Sequence, residues 1–187
     1  MKKKILLVAG GYSNEREISL KTAKSVYQEL KKNNKYNLKI TEPDGNFIKN
    51  LRLFKPNLVF NLLHGRYGED GYIQSILESE KIRYTHSGVL SSSIAIDKEL
   101  SKKIFIKNKI LTPKYIKFKF KKNIIKKKII LEIEKKLNFP VVVKPINEGS
   151  SVNVFICSKS NFIKNLYKLK SYGDVLIEKF IPGREIQ

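Results

Sequence analysis

Residues 5–9, Ile-Leu-Leu-Val-Ala, form a short apolar run that stops at the pair Gly10-Gly11, and Ile18, Ala23, Val26, Tyr27 and Leu30 follow at helical spacing. A strand, a glycine turn and an amphipathic helix in that order open an α/β domain. Glu15 and Glu17 fall in the first turn of that helix, where the helix dipole favours carboxylates. Asn14 with Glu17 three residues on has the form of a capping box. Residues 38–41, 58–63 and 82–85 read as further strands, and Tyr72, Ile73, Ile76 and Leu77 as the apolar face of another helix. Strands alternating with helices predict a parallel sheet that binds ligands at the carboxyl ends of its strands. The loops at those ends are residues 10–15, 64–70 and 85–89.

From Ser91 onward the chain becomes lysine-rich with no proline- or serine-rich linker, and a second domain is expected from about residue 97. Within residues 114–121, Ile116, Phe118 and Phe120 alternate with Lys117, Lys119 and Lys121, the pattern of a strand with one solvated face. A helix is expected around residues 124–137, strands at 141–144, 152–157 and 175–180, and a helix over 161–170 with Phe162, Leu166 and Leu169 inward. The chain stops after that last strand at Gly183-Arg184-Glu185-Ile186-Gln187, an ending expected of an interrupted domain.

A net charge of +21 directs attention to phosphate backbones and anionic membranes. Of the 38 basic residues, however, only five are Arg, and 15 Asn accompany them. That is the signature of an AT-rich coding sequence, whereas a selected nucleic-acid surface uses the planar fork of Arg. Nucleic acid is therefore not the expected partner. No run approaches the roughly 18–20 apolar residues of a membrane span, so no membrane is expected either. The single cysteine, Cys157, permits no internal disulfide and suits the cytoplasm.

The segment richest in chemistry is Phe139-Pro140-Val141-Val142-Val143-Lys144-Pro145 followed by Glu148-Gly149-Ser150-Ser151-Val152. A lysine at the end of a β-branched strand and a glycine-serine loop place an ammonium, two hydroxyls and backbone N–H groups around one point, which suits a polyphosphate. A plain hairpin with a solvent-reaching lysine is an equally good reading of this segment alone. An ordinary P-loop is excluded, because the loop joins two strands and no Walker A pattern occurs.

Taken together the segments are more specific. Gly10-Gly11-Tyr12-Ser13-Asn14-Glu15-Arg16-Glu17-Ile18-Ser19-Leu20, His64-Gly65-Arg66-Tyr67-Gly68-Glu69-Asp70-Gly71 with Gln74, Tyr84-Thr85-His86-Ser87-Gly88-Val89, Asp97-Lys98 with Lys102, the lysine and glycine-serine strands, and Ile177-Glu178-Lys179-Phe180 with Gly183 and Glu185 occur in the order and approximate spacing of one family. Along its whole length the chain resembles the D-alanine–D-alanine ligases, which are ATP-grasp enzymes. The resemblance implies an α/β fold: an N-terminal parallel-sheet, Rossmann-like (pre-ATP-grasp) substrate-binding domain over 1–96, then an incomplete ATP-grasp nucleotide-binding domain over 97–187. It implies ATP-driven joining of two D-alanine molecules for peptidoglycan through an acyl phosphate, with Mg²⁺ accompanying ATP.

Carried over from the family, Glu15 would hold the ammonium of the first D-alanine and Ser150 would connect to it, the two catalytic positions. His64 and Glu69 would line the substrate pocket. Lys98 and Lys144, with Ser150 and Ser151, would contact the ATP phosphates, where fixed ammonium groups offset the charge of phosphoryl transfer. Glu178, Lys179 and Ile181 would present a strand edge to adenine, and Glu185 would bind ribose. Lys102 and Lys103 are expected to face solvent. Two residues depart from the family pattern: His86 and Asn153 stand where it usually has glycine. Asn tolerates a left-handed backbone, whereas His86 adds bulk near the substrate loops. The family's C-terminal third supplies the magnesium ligands, an oxyanion-binding arginine and a closing loop; none is found in these residues, so no metal ligand is assigned and the chain alone is expected to be inactive. The partners expected beside D-alanine and ATP are the missing C-terminal portion or a homodimer partner. The competing readings are a related ligase using D-lactate or D-serine as second substrate, and a non-catalytic basic nucleic-acid-binding protein.

Overall fold

The computed structural model describes residues 2–120, 126–149 and 153–184. The chain divides into two compact units, residues 1–96 and 97–187.

Unit 1 contains β1 (Lys3–Val8), α1 (Arg16–Lys31), β2 (Tyr36–Thr41), α2 (Phe47–Phe54), β3 (Leu58–Asn61), α3 (Tyr72–Ser79) and α4 (Val89–Ile96). Its sheet has the order β2-β1-β3 and is parallel throughout, as the alternation of elements predicts. Being central, β1 is covered on both faces, which is why it reads as an unbroken apolar run. Leu6 and Val8 pack with Phe47, Leu51, Val59, Ile73 and Leu77 on one side, while Ile5, Leu7 and Ala9 pack with Ala23 and Leu62 on the other. Each such aliphatic side chain contributes about 1.5–3 kcal/mol by leaving water.

Two expectations need correction here, and one helix goes beyond them. The segment at residues 82–85 adds only a single parallel bridge, Val59 to Tyr84, beside β3. The capping box does not form: the N-cap of α1 is Glu15, with no side-chain cap hydrogen bond. Instead the Ser13 hydroxyl accepts the Glu15 N–H at 3.2 Å. Helix α2 was not foreseen, since its signal is little more than Phe47 and Leu51 one turn apart, both buried.

Unit 2 contains α5 (Lys98–Lys107), β4 (Tyr115–Phe118), α6 (Lys126–Lys136), β5 (Val141–Pro145), β6 (Phe155–Cys157), α7 (Phe162–Lys168), a 3-10 turn (Lys170–Tyr172) and β7 (Val175–Lys179). The sheet order is β4-β7-β5-β6 with every pair antiparallel. Side chains alternate across it. Val141, Val143, Val175 and Ile177 join the core of Ile133, Leu137, Phe162, Leu166 and Leu169. By the same period of two, Val142, Lys144, Leu176 and Glu178 occupy the opposite face. Phe162, Leu166 and Leu169 are fully buried, as their helical spacing predicts.

The expected strand at 114–121 is shorter, although Phe118 and Phe120 do pack against the core, edge to face at 5.1 Å. Its lysine face is solvated at Lys119, whose side chain is 63% exposed, and less so at Lys117, at 28%. Lys117 lies 2.6 Å from Glu99 and 3.3 Å from Asp174, and Lys119 lies 3.6 Å from Asp174. Lys121 and the start of the helix expected at 124 are outside the described residues. The strand expected over 152–157 is described as Phe155–Cys157.

Candidate functional site

In unit 1 the loops after β1 and β3 meet. The Ser13 hydroxyl donates to the His64 carbonyl at 2.7 Å while accepting from Glu15 N–H, so one side chain ties the start of α1 to the His64 loop. Glu15 is 8% exposed. Its carboxylate lies against Gly65, where an added Cβ would come within 2.9 Å of Glu15 Oε2 and would have to displace it; the φ of +70° is the stronger reason for glycine there. Glu69 Oε2 accepts the Gly65 N–H at 3.1 Å, and Glu69 Oε1 lies 3.9 Å from His64 Nδ1. Nε2 of the same ring lies 3.3 Å from the Thr22 hydroxyl. Glu15, His64 and Glu69 are thus brought together. A cavity of about 580 Å³, lined among others by Gly11, Ser13, Arg16 and Glu42, shares Ser13 with this cluster.

The residues holding the loops were given no role from the sequence. Buried Ser19 accepts the Gly10 N–H at 2.8 Å and donates to the Leu62 carbonyl at 2.6 Å, joining both loops beneath the site. Asn61 donates from Nδ2 to the Gly68 carbonyl at 2.8 Å, as does Gln74 from Nε2. Asn61 N–H in turn donates to Thr85 Oγ1, which lies 3.0 Å from His86 Nδ1. His86 has φ +82° and an exposed side chain. The burden of this histidine is therefore its left-handed backbone and not its bulk, which explains the glycine expected there. Asn153 also lies in the left-handed region, at φ +56°, and donates from Nδ2 to the Tyr172 hydroxyl at 2.7 Å.

In unit 2, Asp97 caps α5 by accepting the Leu100 N–H at 2.9 Å, which sets Lys98 at the first helical position. The Lys98 ammonium donates to the Ile146 carbonyl at 3.2 Å and to the Glu148 carbonyl. Burial, and then the nearby Lys144 charge, lower its pKa below the ordinary lysine value, with Glu148, Glu178 and Asp97 opposing. The Glu178 carboxylate is shared: Oε2 lies 2.5 Å from Lys144 Nζ and Oε1 lies 2.7 Å from Lys102 Nζ.

Lys102 was expected to face solvent and does not. It is 5% exposed and also donates to the Thr112 hydroxyl at 2.5 Å and the Pro113 carbonyl at 2.9 Å. Lys103 is half exposed and paired with Glu99 at 2.8 Å. The expected strand edge at Glu178 and Lys179 is also corrected. β7 runs between β4 and β5, and the Lys179 N–H donates to the Lys114 carbonyl at 2.9 Å. Ile181, beyond the strand, is exposed. Ser150, Ser151 and Glu185 lie outside the described residues.

The two ammonium groups fit a polyphosphate, being donors without acceptor capacity. Magnesium finds no such fit: among the described residues no group of three or more His, Cys, Asp and Glu side chains could hold a metal ion. Nor, among the described residues, is any helix long and apolar enough to cross a membrane.

A parallel α/β unit followed by an antiparallel sheet carrying this lysine–glutamate face has the architecture of part of an ATP-grasp enzyme. Residues 104–187 match the sequence family described as D-ala D-ala ligase C-terminus. The D-alanine–D-alanine ligase of Pelagibacter ubique is 67% identical over 187 residues, covering 100% of this chain and 60% of that protein. That of Carboxydothermus hydrogenoformans is 42% identical, covering 98% and 59%. The crystal structure of the Bacillus anthracis ligase complexed with ATP is similar at a TM-score of 0.83 and 34% identity, covering 98% of this chain and 58% of that one. The chain is similar to the D-alanine–D-alanine ligases along nearly its whole length, and it spans about 60% of the length of the curated relatives it matches.

Proposed function

We propose that the protein acts in the ATP-dependent joining of two D-alanine molecules. The carboxylate of the first D-alanine takes the γ-phosphoryl group, releasing ADP. The amine of the second then displaces inorganic phosphate to form the peptide bond, supplying a precursor for the cell wall in the cytoplasm. In this reading unit 1 is the substrate-binding domain: Glu15 receives the ammonium of the first D-alanine, with His64 and Glu69 beside it. Unit 2 is the nucleotide-binding domain. Lys98 and Lys144, with Ser150 and Ser151, meet the phosphates; Glu178, Lys179 and Ile181 meet adenine, and Glu185 the ribose. Magnesium accompanies the nucleotide, with ligands outside the described residues.

The observation that carries this reading is the pair Lys98 and Lys144, the first with its charge disfavoured by burial and by the second. Such a pair gains from an arriving polyanion and is otherwise costly to maintain. The names of the relatives and the ATP held by the Bacillus anthracis enzyme support the same chemistry. The test is D-alanine-dependent phosphate release and D-alanyl-D-alanine formation by the complete product of the gene, with Lys144→Ala abolishing both. Phosphate release indifferent to D-alanine would refute the assignment.

A further inference from the structure

We propose that Lys102 is a positioning residue that fixes the Glu178 carboxylate and so sets a preference for purines bearing a 6-amino group. This rests on the nucleotide reading of unit 2. An ammonium has three N–H donors, and Lys102 has three acceptors: Thr112 Oγ1 at 2.5 Å, the Pro113 carbonyl at 2.9 Å and Glu178 Oε1 at 2.7 Å. Its side chain is only 6% exposed, and its Nζ also lies 5.4 Å from the Tyr115 ring centroid. A cation so enclosed has no donor left for a ligand. It acts on whatever binds only through the carboxylate it holds.

Lys144 is different. Its side chain is 22% exposed, and it meets the other carboxylate oxygen, Oε2, at 2.5 Å. The two oxygens of Glu178 therefore have unequal tasks: Oε1 is anchored inside the unit and Oε2 faces the more exposed cation. When an anion draws Lys144 away, Oε2 becomes an acceptor whose direction is already fixed by Lys102. A carboxylate only accepts hydrogen bonds. It therefore welcomes a purine 6-amino group, which donates, and repels a 6-oxo group, which accepts.

The test is calorimetric titration of the complete gene product with ATP and with ITP, each with magnesium. The wild type is expected to prefer ATP, and Lys102→Met to reduce the ITP-to-ATP Kd ratio on the order of tenfold. A purely structural lysine would weaken both nucleotides alike and leave the ratio unchanged. Thr112→Val, which removes one of the three acceptors and keeps the charge, is expected to lower the ratio by less, and it decides alone if Lys102→Met does not fold. An unchanged ratio in the deciding variant overturns the role of Lys102 while leaving the nucleotide reading intact. Failure of the wild type to bind either nucleotide overturns both.

Discussion

The two units hold their candidate site residues by opposite means. Unit 1 uses neutral hydrogen bonds between loops: Ser13, Ser19 and Asn61 each join backbone groups that the strand ends leave open. Unit 2 uses charge, with one carboxylate shared between two ammonium groups on a sheet face. Neutral networks lose a modest amount when one member is removed, whereas a buried charge left alone is severely penalised. The units should therefore respond differently to substitutions of similar size.

The sharpest way to break that contrast is Glu178→Ala, which leaves the Lys102 ammonium buried without its carboxylate. Destabilisation of about 3–5 kcal/mol is expected in denaturant titrations. A loss below about 1 kcal/mol would mean that the ion pair is not a buried one. The matching change in unit 1 is Ser19→Ala, which orphans the Gly10 N–H; about 1–3 kcal/mol is expected, measured in the same way. If Ser19→Ala proved the costlier of the two, the contrast would be reversed. A smaller effect of opposite sign is expected from His86→Gly. Relief of a left-handed residue should stabilise by about 1 kcal/mol, less whatever chain entropy glycine adds to the unfolded state. A lowered melting temperature would show that the His86 contact with Thr85 outweighs the backbone.

The mildest test concerns pH. The pKa of Lys98 is lowered in the free protein, and a bound polyphosphate would raise it, so binding takes up protons at pH values between the two. Affinity for ATP should be fully present below the free pKa and decline as pH rises through it. Isothermal titrations in buffers of different ionisation enthalpy would report that uptake. Proton release at the same pH would contradict the assignment of Lys98.

How much of this was legible in the sequence follows from the same division. β1, α1 and the inward face of α7 were readable, because local periodicity determines which side of an element is apolar. The loops that carry Glu15, His64 and Glu69 were readable as ligand-binding segments because they follow strands of a parallel α/β sheet, while the choice of those three residues came from the family resemblance. The interior place of β7 was not readable, since strand order depends on pairings between segments distant in sequence. Lys102 was misread for a related reason. A lysine on a lysine-rich helix looks like solvated surface until the fold delivers a carboxylate to it. Ser19 was hidden by its ordinariness: a serine on the first turns of a helix gives no sign that its hydroxyl accepts from one loop and donates to another.

The bond between Lys144 and Glu178 also bears on selectivity in a chain of net charge +21. Most of its lysines stand ready for any passing anion. Lys144 already has a tethered competitor, and a stray phosphate must displace a carboxylate whose effective concentration far exceeds its own. A ligand that offers an anion to the lysine and a replacement donor to the glutamate meets both needs in one arrival. Under the proposed nucleotide reading the pair would work as a coincidence gate, opening to two matched groups on one molecule and resisting either group alone.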